Sequence, residues 1–338
     1  MQRERPTSAI LLVGGFGTRL QPLTFRTPKP MLPVAGIPFT EHQIAKARAA
    51  GISEIVLATS YMAEIFEPHF GDGERFGIKI SYAVEKSALG TGGAIANAAQ
   101  LLSGEGPIVI FNGDVLSSHD LGAQMDLHQS GYGDATLHLT SVTDARAFGV
   151  VEIEGSRILS FNEKMENPPT QIINAGCYIF NRSVVDSIPT DRAVSVERET
   201  FPALLAANSR ILGYLDSSYW LDIGTPAALL QATSDLISGR AQSIAFAELL
   251  NQDLYSMSSG SLIARDAAVD ASAKVEAGSH IARAATIENG ARIVGSIIGE
   301  AARVGANSHL INTFVAPNYE IPAGFMAENQ FFGYLEEK

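Results

Sequence analysis

The residues with chemical potential begin where a short apolar run ends. Residues 13–33 read VGGFGTRLQPLTFRTPKPMLP. Glycines after a strand let the backbone approach a nucleotide, with N–H groups facing phosphate oxygens. Gly14, Gly15 and Gly17 are the candidates. Neither common phosphate loop is present: Gly15-x-Gly17-x-x runs into Leu20 where GxGxxG needs glycine, and no GxxxxGK[ST] occurs. Arg19, Arg26 and Lys29 follow in the same segment. A guanidinium forks onto two phosphate oxygens and an ammonium acts as a point charge. Taken alone, the string also reads as a tight turn with solvated basic residues.

Three carboxylates stand near the ends of predicted strands. Asp114 closes PIVIFNGD, where open α/β sheets place their ligands, and Asp222 follows Trp220-Leu221. An isolated aspartate in such a place is most often a turn or cap residue. Glu85 lies in YAVEKSALGTGGA (82–94), just before the helix predicted to open around Gly90 and Thr91. Guanine presents N1–H and an amino group side by side, two donors that one carboxylate accepts together. Uracil and thymine offer a single N–H between two carbonyls, which a carboxylate repels. Glu85 therefore favours GTP. The alternatives are an exposed glutamate at a strand end, or one held by the adjacent Lys86.

Those residues need elements to position them. From Ser8 to Gly239 strand-like and helix-like segments alternate. Strands are expected at 8–13, 54–60, 78–84, 107–112, 134–141, 148–153, 172–180 and 211–216. Helices are expected at 39–50, between 60 and 78, and at 92–102, 197–207 and 226–238. Continuous apolar strands between helices predict an α/β domain over 8–239, a Rossmann-like mixed sheet that is mainly parallel. Beyond a joining segment at 240–260 the period changes. Ile263, Val269, Val275, Ile281, Ile287 and Ile293 recur every six residues. The register slips at 296–298 and resumes with Ile298, Val304 and Leu310, then Val315 and Ile321. That is the hexapeptide pattern of a short left-handed parallel β-helix over 261–330, with roughly three turns at three repeats per turn.

Composition narrows the class. The chain has 338 residues, 46% hydrophobic and 18% charged, with a formal net charge of −12. An acidic chain without a basic or aromatic stripe disfavours nucleic acid and anionic membrane as partners. No run approaches eighteen apolar residues, and MQRERPTSAI lacks the apolar run of a signal peptide. Cys177 is the single cysteine, so no internal disulfide forms, and a cytoplasmic location is expected. It lies in an apolar run and reads as a core thiol. The seven histidines lack zinc-ligand spacing.

The long string GGFGTRLQPLT…PKPMLPV resembles the signature of the nucleoside-diphosphate-sugar pyrophosphorylases, or sugar-1-phosphate nucleotidylyltransferases. FNGD (111–114), FNEK (161–164), INAG (173–176) and WLDIGTP (220–226) extend the likeness, which covers nearly the whole chain. The resemblance implies in-line attack of a sugar-1-phosphate oxygen on the α-phosphorus of an NTP, with pyrophosphate leaving. Its guanylyl branch would join GTP to mannose-1-phosphate and give GDP-mannose. It further implies that the Gly14–Gly15 backbone lies against the base, near Glu85, and that Gly17, Thr18, Gly90 and Thr91 also lie at the nucleotide. Arg19 would hold the leaving phosphates and Lys29 the α-phosphate. Asp114 and Asp222 would bind Mg²⁺, a hard cation that takes one or two carboxylates plus phosphates and water. Gly149, Glu163, Lys164 and Asn174 would form the sugar-phosphate pocket. Met165 replaces the usual proline after Glu163-Lys164, which bears on loop rigidity. Trp220 reads as packing, and 195–199 (SVERE) receives no role.

Other readings share parts of this pattern. A heptose-1-phosphate guanylyltransferase, or a glucose-1-phosphate enzyme using dTTP or UTP, keeps the chemistry and changes the substrate. A non-catalytic regulatory subunit keeps the fold; Arg19, Lys29, Asp114 and Asp222 all being present argues against it. A hexapeptide acyltransferase would leave the nucleotide motifs unexplained. The open ends of a short β-helix suggest a homo-oligomer.

Overall fold

A computed structural model describes residues 4–60, 62–85 and 87–333. Two compact units emerge, and neither is continuous in sequence. The first comprises 1–15, 46–115 and 119–220, and the second 16–45, 116–118 and 221–338.

The first unit is built on a nine-stranded sheet. Its strands are β1 (Ser8–Leu12), β2 (Glu54–Thr59), β3 (Lys79–Val84), β4 (Ile108–Asn112), β5 (Ala135–Ser141), β6 (Gly149–Glu154), β7 (Arg157–Glu163), β8 (Ile172–Phe180) and β9 (Ile211–Leu215). Their spatial order is β3-β2-β1-β4-β8-β5-β9-β7-β6. β1 lies between β2 and β4 in parallel register, and β2 pairs parallel with β3. β8 runs antiparallel to β4 and β5, and β7 antiparallel to β6 and β9. The sheet is therefore mixed, with β7 and β8 opposed to the rest. Ala9, Ile10 and Leu11 are fully buried, as a central parallel strand covered on both faces requires.

Most expected strands appear within a residue or two of their predicted ends, the usual spread of such boundaries. β7 was not anticipated. Ile158 and Phe161 turn inward, but Leu159 is exposed and the pairing with β6 shifts between Ile158 and Ser160. That irregularity breaks the alternation by which a half-buried strand is read. Helix Leu121–Ser130 was also passed over, although Asp120 caps it by accepting the Ala123 N–H at 3.0 Å.

The second unit carries three stacked sheets of short strands. One contains the hairpin Tyr255–Ser258/Ser261–Ala264, then His280–Ile281, Ile297–Ile298, Phe314–Val315 and Phe331–Phe332 in parallel. Another stacks Ala268–Val269, Thr286–Ile287, Arg303–Val304 and Glu320–Ile321. The last stacks Lys274–Glu276, Arg292–Val294, His309–Ile311 and Met326–Glu328. The chain visits the three in rotation, consistent with a parallel β-helix. Ile263 faces Ile281, Val269 faces Ile287 and Val275 faces Ile293, each eighteen positions on. Ile281, Ile287 and Ile293 then face Ile298, Val304 and Leu310, seventeen positions on. The slip in the sequence period is a turn one residue shorter. Two of the sheets hold four strands rather than the expected three. Ile321 is the last rung of one, Ala327 of the other and Phe332 of the six-stranded sheet, and a search for Ile, Val and Leu overlooks the latter two.

Candidate active site

In the first unit the predicted residues collect at strand tips. β1 ends at Leu12, and the Gly15 N–H donates to Ser60 Oγ at 3.2 Å, tying the glycine turn to the end of β2. Beside it, the Gly113 N–H donates to Leu12 O at 3.0 Å. A Cβ on Gly113 would stand 2.3 Å from that carbonyl oxygen. Only glycine lets the chain turn so close to β1, and the turn presents Asp114, which is partly exposed.

Glu85 follows β3, its N–H donating to Thr59 O at 2.9 Å. Its Oε2 accepts the Leu89 N–H at 3.2 Å, so the carboxylate also organises the approach to helix Gly90–Ala99. Burial raises its pKa above the usual carboxylate value, and the Leu89 hydrogen bond opposes that rise. Lys86, the proposed competitor for Glu85, lies outside the described residues.

Gly90 has φ +70°, and a Cβ there would stand 2.5 Å from Val194 O. The segment 89–92 is locked to 194–197: Val194 N–H donates to Leu89 O and Gly92 N–H to Val194 O, both at 2.8 Å. Thr91 Oγ1 accepts the Val196 N–H and donates to Glu197 Oε2, each at 2.9 Å. The Thr91 hydroxyl is thus engaged within the protein. Ser195 Oγ also donates to Glu197 Oε2, at 2.9 Å. These bonds supply the role that the sequence did not give to 195–199.

The residues that the resemblance assigns to the sugar phosphate lie on or next to β6, β7 and β8. Gly149 and Glu163 are register partners, and a Cβ on Gly149 would stand 3.0 Å from Glu163 Oε2. Lys164 turns out of β7 with φ +53°, its N–H held by Phe148 O at 3.0 Å and its Nζ 3.8 Å from Glu163 Oε1. The ladder bond to Phe148 anchors this turn despite Met165. Asn174 Nδ2 donates to the buried Tyr178 hydroxyl at 2.8 Å, and Asn174 Oδ1 accepts the Gly176 N–H at 3.2 Å. Glu163 has a raised pKa, first from burial and then from the nearby Glu197 carboxylate, with Lys164 and Arg198 opposing. An acceptor-rich, partly buried patch therefore stands beside the Lys164 ammonium. Trp220 packs as expected, edge-on to Phe148 at 5.5 Å, with Nε1–H donating to Ala175 O at 2.9 Å. Cys177 is a buried thiol whose pKa burial pushes up to about 12.

The second unit holds the rest of the signature. Gly17 lies against the Lys29 and Thr24 side chains, and Thr24 Oγ1 donates to Gly17 O at 3.0 Å. Thr18 and Arg19 occupy a single 3-10 turn, Thr18–Leu20. A Cβ on Gly224 would come within about 3.0 Å of the Arg19 guanidinium, so this glycine makes room for that side chain. Asp222 ends strand Trp220–Asp222, and Thr225 caps helix Pro226–Ile237 by accepting the Ala228 N–H at 3.2 Å. Among the described residues no three His, Cys, Asp or Glu side chains gather as a metal cluster. A hard cation held by two carboxylates, phosphates and water needs no such cluster, and two aspartates are suitable donors. No helix among the described residues is long and apolar enough to cross a membrane.

Known proteins extend these observations. Residues 8–239 match the nucleotidyl transferase family model. The mannose-1-phosphate guanylyltransferase of Mycobacterium tuberculosis is 47% identical over 300 residues, covering 88% of this chain and 81% of that protein. A solved putative glucose-1-phosphate thymidylyltransferase from Bacillus anthracis is 26% identical with a TM-score of 0.61, covering 67% of this chain and 93% of its own. HddC from Yersinia pseudotuberculosis, solved with GMP-PN, is 27% identical with a TM-score of 0.57 and covers 67% and 97%. The chain therefore belongs to the nucleotidyl transferase family and is an enzyme of that kind.

Proposed function

We propose that this enzyme transfers a guanylyl group from GTP to mannose-1-phosphate, releasing pyrophosphate and giving GDP-mannose. The observation that carries this reading is the patch on β6–β8, where Glu163 is the register partner of Gly149, Lys164 Nζ stands 3.8 Å from Glu163 Oε1, and Asn174 lies on the adjoining β8. Carboxylate and amide acceptors suit sugar hydroxyls, and the Lys164 ammonium suits the attached phosphate. The 47% identity to a guanylyltransferase for mannose-1-phosphate supports the substrate, and a GMP analogue in HddC supports the base.

In this reading Gly14, Gly15, Gly17 and Thr18 face the nucleotide, Arg19 holds the leaving phosphates, and Lys29 meets the α-phosphate. Glu85 and Gly90 define the base side. Thr91, its hydroxyl already bonded, contributes through its backbone. Asp114 and Asp222 hold Mg²⁺, which when bound neutralises phosphate charge. Gly149, Glu163, Lys164 and Asn174 form the sugar-phosphate pocket. The proposal divides the chain into a catalytic domain (8–239), a linker (240–260) and a left-handed hexapeptide β-helix (261–330). The eighteen-residue pairing supports the last of these. A homo-oligomer and a cytoplasmic location, which the lone buried thiol supports, complete it.

The test is pyrophosphate release across GTP, dTTP, UTP and ATP crossed with mannose-, glucose- and heptose-1-phosphates, with and without Mg²⁺. Turnover confined to GTP with mannose-1-phosphate and Mg²⁺ is expected. Preference for another pair overturns the substrate assignment, and turnover unaffected by removing divalent metal overturns the metal assignment.

A further inference from the structure

The last rung of the stacked sheets lies against the loop that carries Arg19 and Lys29. Phe331–Phe332 pairs with Phe314–Val315, and the Ala316 N–H donates to Phe332 O at 2.7 Å. The Phe332 ring packs against Tyr319 and Phe325, at 5.5 and 5.7 Å between centroids. Gly333 follows directly, so its position is set by this ladder. A Cβ on Gly333 would stand 2.8 Å from the carbonyl carbon, the carbonyl oxygen and Cγ of Pro22. Two of those three atoms are backbone and cannot rotate aside.

Pro22 is a junction in the signature loop. The preceding residue, Gln21, donates its N–H to Thr18 O at 3.2 Å, closing the turn that presents Arg19. The Pro22 carbonyl accepts the Phe25 N–H at 3.5 Å, starting the next turn, Leu23–Phe25. Leu20, Leu23 and Thr24 are buried on either side, and Thr24 reaches back to Gly17. Arg19 in turn lies against Gly224. A displacement of Pro22 is therefore passed to Arg19 through one hydrogen-bonded turn with no flexible side chain between.

We propose that Gly333 is a positioning residue for the nucleotide. Through its close contact with Pro22, the final rung of the C-terminal stack holds the Gly17–Lys29 loop in the geometry that meets the GTP phosphates. The stack is then part of the nucleotide site as well as a surface for assembly. This rests on the proposed role of Arg19, so the test separates the two.

The full-length protein is compared as wild type, Gly333→Val, Gly333→Ala, Arg19→Ala and Met326→Ala, the last altering an exposed side chain on the final turn. Misplacing a catalytic loop by about 1 Å costs up to ~10²-fold, so Gly333→Val is expected to lower kcat/KM for GTP by about tenfold or more. Gly333→Ala should fall between it and wild type. The KM for the sugar phosphate and the oligomeric state should stay unchanged, as should all parameters of Met326→Ala. Amide hydrogen exchange should quicken at Leu20, Gln21 and Phe25 while β1 amides keep their protection. A folded Gly333→Val or Gly333→Ala protein with normal GTP kinetics and normal exchange overturns the inference while Arg19→Ala still weakens GTP. If Arg19→Ala also leaves GTP unaffected, the assignment of Arg19 falls, and the inference with it. A rise in the KM for the sugar phosphate as large as that for GTP would mark a general structural role and also overturn it.

Discussion

Gly113→Ala isolates the placement of Asp114 from the chemistry of its carboxylate. The new Cβ would stand 2.3 Å from Leu12 O, 3.1 Å from Leu12 C and 3.2 Å from Val13 Cα. An ordinary carbon–oxygen contact is longer by about 1 Å, so the 113–114 turn and the end of β1 must separate by roughly that distance. The hydrogen bond from Gly113 N–H to Leu12 O, now 3.0 Å, lengthens or breaks. Its loss costs about 1 kcal/mol, and crowding adds about 1–3 kcal/mol. The protein should therefore fold with a lowered Tm. Asp114, however, moves by about as much as the turn, and a displacement of ~1 Å at a reacting centre costs on the order of 10²-fold in turnover. The assay is pyrophosphate release at saturating GTP, mannose-1-phosphate and Mg²⁺, with a thermal melt on the same sample. A folded Gly113→Ala protein with wild-type turnover refutes the reasoning, because Asp114 would then tolerate misplacement that a metal ligand cannot. Gly14→Ala offers a contrast. Its nearest obstacle, at 2.7 Å, is the rotatable Ser60 Oγ, so the loss should be smaller.

Two further outcomes follow from the geometry. Glu85→Gln keeps an oxygen for the Leu89 N–H, now 3.2 Å from Oε2, yet replaces an acceptor that guanine needs; GTP should lose about tenfold relative to dTTP in kcat/KM, and an unchanged ratio places base recognition elsewhere. His280 is buried, neither ring nitrogen has a hydrogen-bond partner among the described residues, and burial lowers its pKa from 6.5 to about 4. A histidine held neutral in the fold contributes its full stability above about pH 6.5, and that contribution is lost as pH falls toward about 4, for a total of about 3 kcal/mol. His280→Leu should therefore reduce the acid slope of unfolding free energy by about 1.4 kcal/mol per pH unit in that window. Part of the slope should remain, because burial also lowers His42 to about 4 and His138 to about 3. Identical acid melts for variant and wild type would remove His280 from this account.

What the sequence by itself determined is what repeats or stays local. The apolar runs located most strands of the sheet, because a strand covered on both faces can hold little else. The six-residue period located the stacked sheets, because one residue in six must face a narrow core, and its slip at 296–298 is the change from eighteen- to seventeen-residue pairing. Strand-tip positions for Gly15, Glu85 and Asp114 were legible for the same reason, since a loop begins where the apolar run stops; that of Glu163 was not, because its strand β7 escaped the reading. Residue type stated what each side chain is able to bind. It did not state what each one already touches. The Thr91 hydroxyl is taken up by Val196 and Glu197, and Glu85 shares its carboxylate with Leu89. The Glu197 charge that helps raise the Glu163 pKa belongs to a segment locked to 89–92. Gly333 meets Pro22 from the far end of the chain, and 16–45 joins 221–338 in one compact unit. These pairings join residues far apart in the chain, where no periodicity or propensity carries information. They are decided by which surfaces close against each other when the whole chain packs.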